Sequence, residues 1–167
     1  MSLTKKYLSL TAFTAASFAF ASFAQADVCD TPSKLGDIGN FAGEVITVAG
    51  SMEGKDEEML VNTVSCFEKA TGAVVKYSGS RDFAALIVAD LRSNNAPNIS
   101  IFPQPGLAGD MAKEGHLVPL GDELASWMTN NYGAGSSWVD LGTYSDASGK
   151  KDFYGFAYKM DLKSLVW

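Results

Sequence analysis

Three times between Glu44 and Gly115 the chain passes through an apolar stretch, breaks at a glycine or proline turn, and resumes with apolar residues at helical spacing. Val45, Ile46, Val48 and Ala49 form the first stretch, a nearly continuous run that predicts a strand buried on both faces and closed by Gly50. Asp56, Glu57 and Glu58 then crowd a first helical turn, where carboxylates complement the positive end of the helix dipole. Leu60, Val64 and Phe67 recur on one face of that helix, and Lys69 and Gly72 close it. The second unit is Ala73, Val74, Val75 and Tyr77, a turn at Gly79, and a helix capped by Ser80 with Phe83, Leu86, Ile87 and Leu91 facing inward. Asn94, Asn95 and Pro97 end it. The third runs from Ile99 to Phe102 into Pro103-Gln104-Pro105-Gly106, where Pro105 suits the first helical position and Leu107, Ala108, Met111 and Ala112 supply the buried stripe up to Gly115. Alternation at these spacings argues for right-handed βαβ crossovers, hence an α/β fold with a parallel-rich sheet and flanking helices.

Beyond Asp122 the pattern thins. Leu124, Trp127, Met128 and Tyr132 predict a fourth helix, and Gly133, Gly135, Ser136 and Ser137 a loop. Residues 138–144 and 153–158 read as strands around a polar turn at 145–151.

The N-terminal segment sets the compartment. Lys5 and Lys6, a Ser/Thr-interrupted apolar run over 8–23, and Ala24-Gln25-Ala26 predict a secretory signal peptide over 1–26, cleaved after Ala26. A membrane anchor wants about 20 strongly apolar residues, and the run is too short and too polar for that. No small-residue lipobox precedes Cys29, so the mature protein is expected to be soluble and periplasmic. Without the signal, 11 basic residues face 19 acidic ones, which argues against nucleic acid as a partner. Cys29 and Cys66 lack the close Cys or His companions that a metal site or a nucleophile needs, and in an oxidising compartment they are expected to form a disulfide. Residues 27–43, with Pro32, Gly36, Gly39 and Gly43, read as an irregular leader tied down by it. The chain stops at Leu165-Val166-Trp167 without a polar tail or cap, as a truncated sequence would.

Signals for catalysis are few. His116, the single histidine, follows Gly115 without a triad or metal spacing around it and reads as an exposed loop residue. Gly50-Ser51-Met52-Glu53-Gly54-Lys55 departs from a phosphate loop, with three residues between its glycines and Asp56 where Ser or Thr is required. No nucleophile elbow or Cys-x-x-Cys motif occurs, and neither a metal nor a cofactor is expected. The positive signal is topological: in an open parallel sheet, ligands bind at the carboxyl ends of the strands. Three turns fall there, 50–55, 78–83 and 103–107. Gly50, Ser51, Glu53, Ser80, Arg81, Asp82, Gln104 and Pro105 are the candidate ligand residues, offering backbone amides, acceptors and a guanidinium suited to a polyol. Taken singly, Ser80 is also an N-cap, Asp82 a first-turn acid, Arg81 a surface charge, Glu53 a loop carboxylate and Gln104 a cap before Pro105. Trp127, Trp138, Tyr144 and Tyr158 read as core or interface aromatics before sugar platforms.

Residues 44–120 resemble the first lobe of the family 1 extracellular solute-binding proteins. The resemblance rests on Cys66-Phe67-Glu68-Lys69-Ala70-Thr71-Gly72, Ser80-Arg81-Asp82-Phe83, Ala96-Pro97-Asn98-Ile99, Phe102-Pro103-Gln104-Pro105-Gly106 and Gly115-His116-Leu117-Val118-Pro119-Leu120. The Phe-Pro-Gln-Pro-Gly stretch looks like the α-glucoside-binding branch. The resemblance implies a periplasmic-binding-protein-like lobe 1 over 44–153, the start of a crossover over 154–167, and a second lobe mostly missing. It also implies a monomer without enzymatic activity that captures an oligosaccharide and delivers it to ABC permease subunits in the inner membrane. Two departures stand out: the family usually has Pro-Asp where Pro97-Asn98 occurs, and often Pro where Ala157 stands. A secreted glycoside hydrolase, or a binding protein for a non-sugar solute such as a polyamine, is the alternative.

Overall fold

A computed structural model describes Cys29 and residues 39–158. The signal peptide with its cleavage after Ala26, the leader up to residue 38 except Cys29, and the part of the expected crossover past residue 158 lie outside the described residues. The order is β1 (Val45–Gly50), α1 (Lys55–Thr71), β2 (Val74–Gly79), α2 (Phe83–Arg92), β3 (Ile99–Ile101), α3 (Pro105–Lys113), α4 (Gly121–Asn131), α5 (Gly135–Leu141), β4 (Thr143–Ser145) and β5 (Lys151–Phe153). β1 to β3 form one parallel sheet in the order β2-β1-β3, and β4 and β5 form an antiparallel pair. The α/β class and the parallel sheet with flanking helices are therefore as the alternation demands.

The core lies where α2 and α3 meet the sheet. Phe83, Ile87 and Leu91 of α2 and Met111 of α3 are buried together, with Ala49, Phe102, Leu107 and Leu117 packed against them and the Phe83 and Phe102 rings edge to face at 5.7 Å. Burying each such side chain contributes roughly 1.5–3 kcal/mol. Leu86, expected inward, is 50% exposed. Residues 83, 87 and 91 recur every fourth position and define the buried stripe, and Leu86 falls about 100° from its centre. Val45 and Ile99 are exposed as well, so β1 is buried only toward its C-terminal end, at Val48 and Gly50.

α1 begins with the three expected acids and stops at Gly72, whose φ of 76° is the left-handed conformation that glycine adopts without strain. Its last turns fasten two neighbours: Glu68 Oε1 accepts the Val75 N–H of the edge strand β2 at 2.6 Å, and Cys66 is bonded to Cys29 of the N-terminal segment with Cα atoms 5.0 Å apart. Asn98 does the same for β1. Its Oδ1 accepts from the Thr47 N–H and hydroxyl at 2.8 and 2.9 Å, and its own N–H donates to Thr47 Oγ1. The β1 amide just outside the β3 pairing is thereby satisfied by a neutral acceptor, a task that needs no carboxylate.

The C-terminal segment departs most from expectation. α4 forms as anticipated, but residues 135–141 are helix, so the loop expected at 133–137 and the strand expected at 138–144 give way to α5 followed by the short β4. Two glycines of this stretch, Gly135 read as loop and Gly142 read within the strand, serve close packing. A Cβ at Gly135 would run into the Thr129 carbonyl of α4, and one at Gly142 into the Gly155 carbonyl. The second strand spans only Lys151–Phe153, not 153–158. The polar turn between β4 and β5 is held by Asp146, whose Oδ1 accepts from the Ser148 hydroxyl and from the Ser148 and Lys150 amides. Those bonds, led by the Ser148 hydroxyl, keep its carboxyl below the usual carboxylate range. His116 is half-buried beside Glu114, 3.5 Å away, and not the exposed loop residue expected. Arg92 forks onto Glu114 and is the main cause of that carboxyl's lowered pKa, so α2 and the end of α3 share one ionic contact.

Candidate functional site: the carboxyl rim of the parallel sheet

The register decides where the candidate residues sit. Gly50, the last residue of β1, pairs with Gly79, the last of β2, and with Ile101, the last of β3. Parallel strands that end level release their chains on the same edge, so the turns at 51–54, 80–82 and 102–104 rise from one rim. Each turn feeds a helix, and α1, α2 and α3 all start there without a side-chain cap hydrogen bond. No capping side chain is spent on their first turns, and in α2 the Phe83 and Ala85 amides donate to the Ser80 and Asp82 carbonyls.

Between the first two turns the contacts are direct. Arg81 Nε–H donates to Glu53 Oε2 at 2.9 Å and the Arg81 backbone N–H to Glu53 Oε1 at 3.2 Å, while the Ser80 N–H donates to the Gly50 carbonyl. The two side chains are 89% and 41% exposed, so solvent screens the pair and it adds little to stability. What it does is orientation: a carboxylate and a guanidinium are held side by side at the rim, able to accept from and donate to adjacent hydroxyls. Ser80 does not cap α2. Its hydroxyl accepts the Asp82 N–H at 3.1 Å and its carbonyl the Phe83 N–H, forming a local turn that delays the helix to Phe83 and makes Asp82 the cap residue.

Gln104 and Pro105 stand on the other flank of β1, after β3. Gln104 has extended backbone and leaves its amide uncommitted to α3, which opens on Pro105. A strand order of 2-1-3 puts the topological switch between β1 and β3, the place where open α/β sheets form their crevice. The candidates therefore share one rim but divide into two groups, Gly50, Ser51, Glu53, Ser80, Arg81 and Asp82 on one side and Gln104 with Pro105 on the other.

Sequence reasoning missed Tyr77 and Met52. The Tyr77 hydroxyl accepts the Met52 N–H at 2.9 Å and donates to the Met52 carbonyl at 3.0 Å. Its pKa is raised, first by burial and further by Glu57, Glu53 and Tyr158, against the lowering effect of the Met52 amide. No residue pattern announces such a contact, because it depends on a side chain reaching along the strand beyond its own register partner, Val48.

Of the aromatics flagged as core or interface residues, Trp127 and Tyr158 are exposed and so not core, while Trp127, Trp138 and Tyr144 make local contacts. Trp127 meets Tyr132 edge to face, Trp138 donates to the Gly133 carbonyl, and Tyr144 stacks on Tyr154. Among the described residues, open surface grooves run along α4 at Asp122, Ser126 and Thr129 and along α1 from the rim residue Gly54 past Glu57 and Val61, and neither of these reaches the second and third turns.

No family model matches the chain. Over 125 residues it is 45% identical to the alpha-glucosides-binding periplasmic protein AglE of Rhizobium meliloti (strain 1021), covering 75% of this chain and 27% of that protein. Over 140 residues it is 36% identical to the osmoprotective compounds-binding protein GgtB of Synechocystis sp. (strain ATCC 27184 / PCC 6803 / Kazusa), covering 83% of this chain and 31% of that protein. The chain thus spans about three tenths of the length of these relatives.

Proposed function

We propose, from a chain that belongs to the extracellular solute-binding proteins, that the protein is the periplasmic binding component of an ABC importer and captures an α-glucoside. The level ending of β1, β2 and β3 at Gly50, Gly79 and Ile101 carries this reading, since it gathers the polar turns and three helix N-termini into one rim. Identity of 45% to a protein named for binding α-glucosides supports the sugar. In this reading Glu53 and Arg81 bind neighbouring hydroxyls, Gly50, Ser51, Ser80 and Asp82 contribute backbone and short polar groups, and Gln104 with Pro105 closes the opposite side. Residues 44–153 form the first of two lobes and 154–167 begin the passage to the second, the signal peptide is removed after Ala26, and the monomer hands its cargo to inner-membrane permease subunits without chemical change.

A second reading is favoured by the 36% identity to a protein named for osmoprotective compounds, in which the cargo is an osmolyte other than an α-glucoside. Calorimetric titration of the full-length protein with maltose, trehalose, sucrose, cellobiose and betaine separates the two. At least one α-glucoside should bind with a Kd of about 1 μM, equivalent to about −8 kcal/mol, and be recovered intact. Binding of betaine alone supports the osmolyte reading, and released glucose identifies a hydrolase.

A further inference from the structure

We propose that Tyr77 is a positioning residue for the binding rim: its hydroxyl grips both backbone groups of Met52 and so sets where the adjacent Glu53 stands toward ligand. This inference rests on the functional reading above. A turn of four residues between a strand and a helix has several accessible heights over the sheet, and something must choose among them. A helix cap does not, because the residue that caps α1, Gly54, has φ 62° and no side chain to form a cap hydrogen bond. The choice is made by β2 and the turn that follows it. Two consecutive residues of the first turn are fastened there, Met52 through the hydroxyl of Tyr77 in β2 and Glu53 through the backbone and guanidinium of Arg81 in the turn at 80–82.

The chemistry of the grip is specific. One atom must both accept from an N–H and donate to a C=O of the same residue, which a hydroxyl at the end of a rigid ring does and Phe cannot. The surrounding glycines make room for it. A Cβ at Gly50 would lie 2.9 Å from the Tyr77 hydroxyl, and one at Gly79 would meet the Met52 carbonyl. The phenol sits near Glu53, Glu57 and Tyr158, all of which disfavour its ionisation along with burial, so the donating proton is retained through the neutral range.

The test is Tyr77→Phe in the full-length protein, read by exchange of the single Met52 amide and by the affinity for the tightest-binding α-glucoside. Thr47→Val, which removes the hydroxyl bonded to Asn98 just before the start of β3 and makes no contact with the first turn, serves as a destabilised control. In Tyr77→Phe the Met52 amide should exchange at least about tenfold faster. Its Kd should rise about tenfold, while Thr47→Val lowers the thermal midpoint yet keeps Kd within about twofold. Unchanged exchange at Met52 overturns the grip, and faster exchange with unchanged affinity overturns its role in placing Glu53. Equal losses of affinity in both variants reduce Tyr77 to a stability residue. If the wild-type protein binds no α-glucoside, the functional reading falls and this inference with it, while the exchange arm still reports whether the grip exists.

Discussion

Gly79→Ala is expected to raise the Kd for the bound sugar at least about 30-fold, equivalent to about 2 kcal/mol, and to lower stability by about 2–3 kcal/mol. The reason is contact and not backbone strain. At Gly79 the new methyl meets the Met52 carbonyl and approaches the Tyr77 ring at 3.1 Å. Neither neighbour is a free side-chain end, so the turn at 51–54 has to lift. Lifting it breaks both Tyr77–Met52 bonds and draws Glu53 away from Arg81, the contacts that join the first two turns. Gly133→Ala is the matched control, since its Cβ would meet nothing within 4 Å. Titration with the sugar and urea denaturation of both variants provide the check. A Gly79→Ala protein that binds as tightly as wild type would show that the turn tolerates displacement and that the rim does not depend on its height.

The second large effect concerns the core beneath the rim. Ile87→Ala should cost about 3–4 kcal/mol, as expected for deleting a branched side chain that the structure surrounds completely. Ile87 is 1% exposed and sits between Phe83 and Leu91 of its own helix and Met111 of α3. Leu86→Ala, one position away, should cost less than about 1 kcal/mol, because half of that leucine already faces solvent. Urea midpoints at constant m-value measure the difference. Equal costs at the two positions would mean that α2 is rotated from the orientation described, which would also swing Asp82 and Arg81 off the rim.

These two helix positions show what the sequence made legible and what it did not. The short continuous apolar runs and the 3.6-residue apolar spacing through Gly115 place three strands, three helices and the turns between them, because burial in and against a sheet leaves such a trace. They do not resolve the edge of a buried stripe: Leu86 and Ile87 are equally apolar, and only the angle at which α2 meets β1 and α3 separates them. Past Asp122 the trace is weaker because short elements pack through glycine. Gly135, read as a loop residue, and Gly142, read within a strand, mark places where backbone passes close to Thr129 and Gly155. At the rim, the turns and their polar residues were readable from strand ends alone, and the level register gives them a common edge. The Glu53–Arg81 pairing, the division of Gln104 from the other candidates, and the grip of Tyr77 on Met52 were not readable, since each depends on which strand lies beside which and how far a side chain reaches.

Backbone amide shifts of the full-length protein, followed while an α-glucoside is added, test the central claim most directly. The account predicts perturbations concentrated at 51–54, 80–82 and 102–105, on turns that are distant in sequence and share one sheet edge. Shifts confined to the α4 groove at Asp122, Ser126 and Thr129, with those three turns unmoved, would contradict it.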